Sequence, residues 1–166
     1  MQKLYIMCGP AFAGKSTLAK KIVERTGSKL VSFDTTWVEE DKKVPVPEGA
    51  EGWEYIQDKT QEKVCKLLQE GHSVVYDDNS PKKENREPFR KVAKEIGVES
   101  VVVYLDTPLD VILEREKKNR VTQDRHEVEP HNFEKVLKDM EPPTPDEKVV
   151  TFTPDMDLEK FVRKLE

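Results

Sequence analysis

Short apolar runs alternate along the chain with longer stretches in which apolar residues recur every three or four positions. Leu4–Cys8, Leu30–Phe33, Ser73–Tyr76, Ser100–Leu105 and Lys148–Phe152 are short and nearly continuous in apolar character. That is the pattern of strands buried on both faces. The stretches between them read as helices. Lys15–Arg25 puts Leu18, Ala19, Ile22 and Val23 on one face, and Gly27 is placed to end it. Trp53–Glu70 carries Trp53, Ile56, Thr60, Val64, Leu67 and Leu68 at helical spacing. Lys82–Ile96 and Leu109–Lys118 follow. Another helix runs through Phe133, Val136, Leu137 and Met140 until Pro142, Pro143 and Pro145 stop it, and Leu158–Leu165 closes the chain. Trp37–Gly52 holds two prolines and two glycines, which predicts a loop with at most one helical turn. Arg120–Pro130 is polar and aperiodic. Strands alternating with helices predict a three-layer α/β fold around a parallel sheet, in one domain over residues 1–166.

Composition narrows the function. Of 166 residues, 37% are charged and 36% hydrophobic, enough apolar content for a core. The formal net charge is −5, from 28 basic and 33 acidic residues, which argues against a general nucleic-acid binder but leaves room for a small basic pocket. Cys8 and Cys65 form neither a disulfide framework nor a zinc pattern and read as buried thiols. His72, His126 and His131 lack metal-ligand spacing, although the last two fall in or beside the polar segment. No charged leader and no apolar run near the ~18 residues of a membrane span is visible, so a reduced, cytoplasmic setting without membrane contact is expected.

The strongest chemical signal is Gly9-Pro10-Ala11-Phe12-Ala13-Gly14-Lys15-Ser16, a G-x-x-x-x-G-K-S phosphate cradle leaving a strand and entering a helix. Glycines let the backbone turn its N–H groups onto phosphates, and the helix N-terminus adds partial positive charge. The expected nucleotide contacts are Gly9, Ala11, Phe12, Ala13, Gly14, Lys15, Ser16 and Thr17. Lys15 reaches the β- and γ-phosphates of ATP, and the Ser16 hydroxyl binds Mg²⁺. Asp77, with Asp78 as the competing choice, ends the third strand where a second magnesium-orienting carboxylate belongs. Asp34 follows the second strand, placed either to accept a proton from an attacking hydroxyl or to cap a helix. Arg115, Lys117, Lys118, Arg120 and Arg125 span a helix end and the polar stretch after it. That stretch reads as a lid over about residues 115–131, with at least one of the three arginines on phosphate.

Together these residues resemble the P-loop kinases. The nearest likeness is to the group holding phage polynucleotide kinase domains, chloramphenicol phosphotransferase and zeta-toxin kinases. The resemblance implies a P-loop NTPase fold with five parallel strands in the order 2-3-1-4-5 and a helical lid. It implies ATP and Mg²⁺ as cofactors, Asp34 as the base, and Arg115 and Arg120 as lid arginines. Asp77-Asp78-Asn79 through Arg86 resembles the group's Asp-x-Asn…Arg pattern, which marks Asn79 and Arg86 as substrate-side candidates. Pro142–Glu147 resembles the segment near which adenine lies. Polynucleotide kinases carry an arginine three residues after the base, where this chain has Trp37, and the two lid arginines stand one residue further apart than in the phage enzyme.

The acceptor is expected between Asp34, the Trp37–Gly52 loop and the next helix. Trp37, Trp53 and Tyr55 fall there, either to stack on a planar acceptor or, for Trp53 above all, to anchor the core. Glu39, Glu40, Asp41 and Glu48 repel a polyphosphate. The reading is a phosphotransferase acting on a small neutral or cationic alcohol. A polynucleotide or nucleotide kinase comes next, and an ATPase switch without an acceptor last.

Overall fold

In the computed structural model, which describes residues 1–124 and 128–165, the first strand already organises three layers. In β1 (Lys3–Cys8), Leu4, Ile6 and Cys8 point to one side of the sheet, and Tyr5 and Met7 to the other. Alternate side chains of a strand face opposite ways, so a strand apolar at every position needs cover on both faces. The chain supplies it with α1 (Lys15–Thr26), β2 (Lys29–Ser32), α2 (Phe33–Asp41), α3 (Ala50–Gln69), β3 (Val74–Asp77), α4 (Lys83–Ile96), β4 (Glu99–Leu105), α5 (Leu109–Thr122), α6 (Pro130–Asp139), a 3₁₀ turn (Pro145–Glu147), β5 (Val149–Phe152) and α7 (Leu158–Arg163).

All strand pairs are parallel and the sheet order is β2-β3-β1-β4-β5, the expected 2-3-1-4-5. On one face Ile56, Val64 and Leu68 of α3 and Phe89 and Ala93 of α4 meet Leu4, Ile6 and Tyr76. On the other, Leu18, Ala19 and Ile22 of α1 and Phe161 and Val162 of α7 meet Tyr5, Met7 and Val103. A third, smaller cluster joins Phe12 to Ile112 of α5 and Phe133 of α6. Cys8 is buried as expected, and burial pushes its thiol up to about 11, whereas Cys65 is only half-buried.

Three boundaries differ from the sequence pattern. The second strand stops at Ser32, and Phe33–Asp41 is helix α2 rather than loop. The face α2 buries is Phe33, Thr36 and Glu40, so two of its three inward positions are polar and leave no apolar stripe to read. Ser32 caps it, accepting from Thr35 N at 3.4 Å, while Lys43 Nζ and Tyr55 Oη donate to the buried Glu40 carboxylate. Helix α3 begins at Ala50, before Trp53. Its Gly52 packs so closely that a Cβ would lie 1.8 Å from the Pro47 carbonyl oxygen. Helix α5 runs on to Thr122, past the expected Lys118.

Arg86 and Glu147 are both fully buried. Arg86 Nε donates to Glu147 Oε2 at 2.7 Å and Nη2 to Oε1 at 3.0 Å, while Nη1 donates to the carbonyls of Ser80 and Pro81. This fork ties α4, the loop after β3 and the turn before β5 together. Burial alone raises a carboxyl, but the bonds and charge of Arg86 together with the bonds from Thr144 outweigh it and hold Glu147 below the usual carboxylate range. Removing one partner of a buried pair leaves the other charge uncompensated. Glu147→Gln is therefore expected to cost about 3–5 kcal/mol in denaturant unfolding at neutral pH. A carboxyl lowered on folding stabilises above its unfolded value near 4.5, and that contribution fades as pH falls through the lower folded value. The wild type should lose this stability in acid, and Glu147→Gln should lack that part of the decline.

Candidate nucleotide and acceptor site

Residues 9–17 turn from the end of β1 into α1. Gly14 has φ +105°, a conformation that side-chain-bearing residues rarely adopt, and a Cβ there would stand 3.7 Å from Arg115 Nη1. Phe12 takes φ +65° without being glycine, and its side chain packs into the cluster with Ile112 and Phe133, edge-on to Phe133 at 5.7 Å. Thr107 Oγ1 donates to the Ala13 carbonyl at 2.9 Å. Arg115 Nη1 donates to Phe12 O at 3.0 Å and to Ala13 O at 3.3 Å. The loop is thus held from the lid side by two side chains.

From the sheet side it is held by Asn79. Asn79 O accepts from Gly9 N at 3.0 Å, and its Oδ1 accepts from Lys15 Nζ at 2.9 Å. Lys15 Nζ also donates to Pro10 O at 2.8 Å. Burial pushes the Lys15 ammonium below its ordinary value, and the negative groups around it push back, Asp77 and Asp78 foremost and Asp34 among them. Ser32 pairs in register with Asp77, so Asp34, two residues past Ser32, enters α2 beside the end of β3. Lys15, Asp34, Asp77 and Asp78 therefore share one electrostatic neighbourhood at the C-terminal edge of the sheet, where ligands of open α/β folds bind.

The two neighbouring aspartates have different surroundings. Asp78 Oδ2 accepts from Ser80 N at 3.1 Å and shapes the turn, and Asp77 ends β3 where a magnesium-orienting carboxylate belongs. Ser16 and Thr17 are exposed in the first turn of α1. One hydroxyl and one carboxylate fit Mg²⁺, which keeps several waters and takes its other ligands from phosphates. Among the described residues no group of three or more His, Cys, Asp or Glu forms a metal cage.

Beside the loop lies a cleft of about 440 Å³, lined by Phe12, Gly14, Arg115, Asn119, Phe152 and Met156 among others. Pro142–Glu147 does not line this cleft. Its charges bind α4 instead, Asp146 through Lys83 at 2.9 Å and Glu147 through Arg86. The residues that face the cleft are those at the end of β5 and just after it. Their signal in the sequence, Phe152, Pro154, Met156 and Leu158, reads only as the end of a strand and the start of a helix.

The other candidates divide. Arg115 stands against the loop, whereas Arg120 is exposed and pairs with Glu116 one turn away. Arg125 and His126 lie outside the described residues. Arg86 is the buried structural fork, not a group open to substrate. Trp37 and Trp53 form a cluster with Phe33 around the start of α3, and Tyr55 bonds Glu40. The supporting roles of Asn79 and Thr107 were not legible, because their partners lie 64 and 94 residues away.

The chain matches the family described as AAA domain over residues 4–143. It belongs to that family of P-loop kinases. L-seryl-tRNA(Sec) kinase of Methanococcus maripaludis is 28% identical over 116 residues, 68% of this chain and 44% of that protein. The chain thus spans less than half the length of that curated relative. Kti12 of Chaetomium thermophilum, solved with ADP-AlF3, superposes with a TM-score of 0.78 at 19% identity, covering 98% of this chain and 96% of that one. The APS kinase of Mycobacterium tuberculosis, solved with AMPPNP and APS, gives 0.70 at 20% identity over 99% and 95%. At these identities the superpositions show a shared fold. No helix among the described residues is long and apolar enough to cross a membrane.

The buried Phe12 ring joins the phosphate loop to α5 and α6. Phe12→Ala removes a ring that packs on Ile112 and Phe133. Amide hydrogen exchange in α5 and α6 should rise at least tenfold, with β1 unchanged. Unaltered exchange in α5 would mean that the lid is held elsewhere.

Proposed function

We propose that the chain is an ATP-dependent kinase that transfers the γ-phosphate to the hydroxyl of a small-molecule alcohol. The observation that carries this reading is that Lys15 bonds Asn79 next to the end of β3, with Asp77, Asp78 and, at the start of α2, Asp34 within electrostatic reach of its ammonium. A loop with only a lysine holds a nucleotide. One with an exposed carboxylate beside it on α2 also has a group to receive a proton.

In this reading the backbone N–H groups of residues 11–17 and Lys15 hold the β- and γ-phosphates, and the cleft between Arg115, Asn119 and the residues after β5 takes the nucleobase. Ser16 and Asp77 hold Mg²⁺. When bound, the ion neutralises charge on the phosphate oxygens. Asp34 accepts the hydroxyl proton as the alcohol oxygen bonds to the γ-phosphorus. The bond to the leaving oxygen breaks, and ADP departs with that electron pair. Arg115 moves from the carbonyls of Phe12 and Ala13 toward the transferring group as the lid, residues 115–131 of the single domain, closes. Arg120 is a further lid cation that this closure brings in. We place the reaction in the cytoplasm, the ordinary compartment of ATP-dependent phosphoryl transfer to a soluble alcohol.

The relatives support a hydroxyl or small-molecule acceptor in general terms: one is an APS kinase seen with APS, another a kinase of a seryl-tRNA. The tRNA relative favours a second reading, in which the acceptor is carried on a nucleic acid. The acidic surroundings of Asp34 weigh against it. Retention of a short single strand or tRNA that falls steeply with salt would support that second reading over the first.

Two variants test the roles. Lys15→Ala should lose phosphoryl transfer by at least a thousandfold while keeping its thermal unfolding profile. Asp34→Asn should bind ATP as tightly as the wild type and lose transfer by about 10²–10⁴-fold. Normal turnover by Asp34→Asn would remove Asp34 from the role of base.

A further inference from the structure

Both tryptophans of the chain stand on the acceptor side of the loop. Phe33 and Trp53 stack at 4.8 Å and 22°, and Trp37 meets Trp53 edge-on at 6.0 Å. This cluster does not close over itself. Trp53 stays 45% exposed and Tyr55 39%, with Val38 at 53% nearby. Asp34 and Trp37 are three residues apart on α2, hence on one helical face. The aromatic shelf thus continues directly from the proposed base.

Charge is distributed unevenly about that shelf. Residues 34–55 carry seven carboxylates and two lysines, a net of −5, which equals the formal net charge of the whole chain. The rest of the molecule balances to zero. Some of this charge is matched locally: Glu39 pairs with Lys63, and Glu40 with Lys43. Glu48, Glu51 and Glu54, which flank Trp53 at the start of α3, are exposed. Lys59 bonds Glu62 and also rests its ammonium 5.8 Å from the Tyr55 ring centroid, so a cation already lies against one aromatic face here.

An exposed aromatic face attracts cations through the ring quadrupole, and a carboxylate-rich rim concentrates them while repelling phosphates and nucleic acid. We infer that the acceptor is a cationic alcohol, bearing a protonated amine or a quaternary ammonium group. Its positive end lies over Trp53 and Trp37, and its hydroxyl faces Asp34. In calling the bound molecule an acceptor, this rests on the kinase reading.

The two tryptophans make the site its own reporter. Intrinsic fluorescence is titrated with choline and with 3,3-dimethyl-1-butanol, a neutral isostere that has carbon in place of nitrogen. The expected result is a saturable change with choline at a Kd at least fivefold below that of the isostere, a preference that shrinks with added salt. The combined variant Glu48→Gln, Glu51→Gln, Glu54→Gln should lower that preference at least twofold. Equal or tighter binding of the neutral alcohol, or no saturable change with choline, overturns the inference. ATP binding and label transfer are measured on the same protein. Normal transfer to neutral alcohols without a choline preference removes only the cation site. A choline preference without transfer to any alcohol removes the kinase reading and leaves the cation site standing.

Discussion

The ammonium of Lys15 is buried, and the arrangement around it follows from what a buried cation requires. Taken out of water, a charge is tolerated only where oxygens replace the lost hydration. Here they are the Pro10 carbonyl, the Asn79 amide oxygen and the surrounding aspartates. Pro10 comes from the loop itself, Asn79 and Asp77 from the end of β3, and Asp34 from the start of α2. Three neighbouring strands must therefore end together, which the parallel order β2-β3-β1 achieves. The same convergence puts aspartates beside the buried lysine of the loop.

Around this centre the fold supplies supports for the phosphate loop. Arg86 and Glu147 fix the loop following Asn79 by holding the Ser80 and Pro81 carbonyls. Thr107 and Arg115 hold the opposite side of the phosphate loop through its carbonyl groups. Phe12 carries the connection out to α5 and α6, so that these helices and the loop share one small apolar cluster. A ligand that draws Arg115 off the Phe12 carbonyl acts on both.

The strands and α1 were legible because each buries apolar residues at a regular period, and the phosphate loop because its residue types have one common use. The strand order followed from resemblance, not from the periodicity. Helix α2 was hidden because its inward face includes Thr36 and Glu40, and Glu40 is stabilised by Lys43 and by Tyr55, 15 residues away. Arg86 looked like a site residue because no local pattern distinguishes an arginine that meets a phosphate from one that meets a glutamate 61 positions later. The lining of the cleft beside the loop was illegible for a related reason. Pro142–Glu147 is as polar as a binding loop, yet its acids match Lys83 and Arg86 on α4, and the cleft falls to the residues after β5.

Central to this account is that the phosphate held at Lys15 goes to an alcohol activated at Asp34 rather than to water. The direct measurement follows γ-labelled ATP with Mg²⁺ in the presence and absence of a set of amino alcohols, sugars and nucleosides, resolving phosphate ester from free phosphate. The account predicts label in an ester, with ADP formed at an appreciable rate only when that alcohol is present. Release of label as free phosphate at a rate indifferent to every alcohol would contradict it and make the protein a nucleotide-hydrolysing switch.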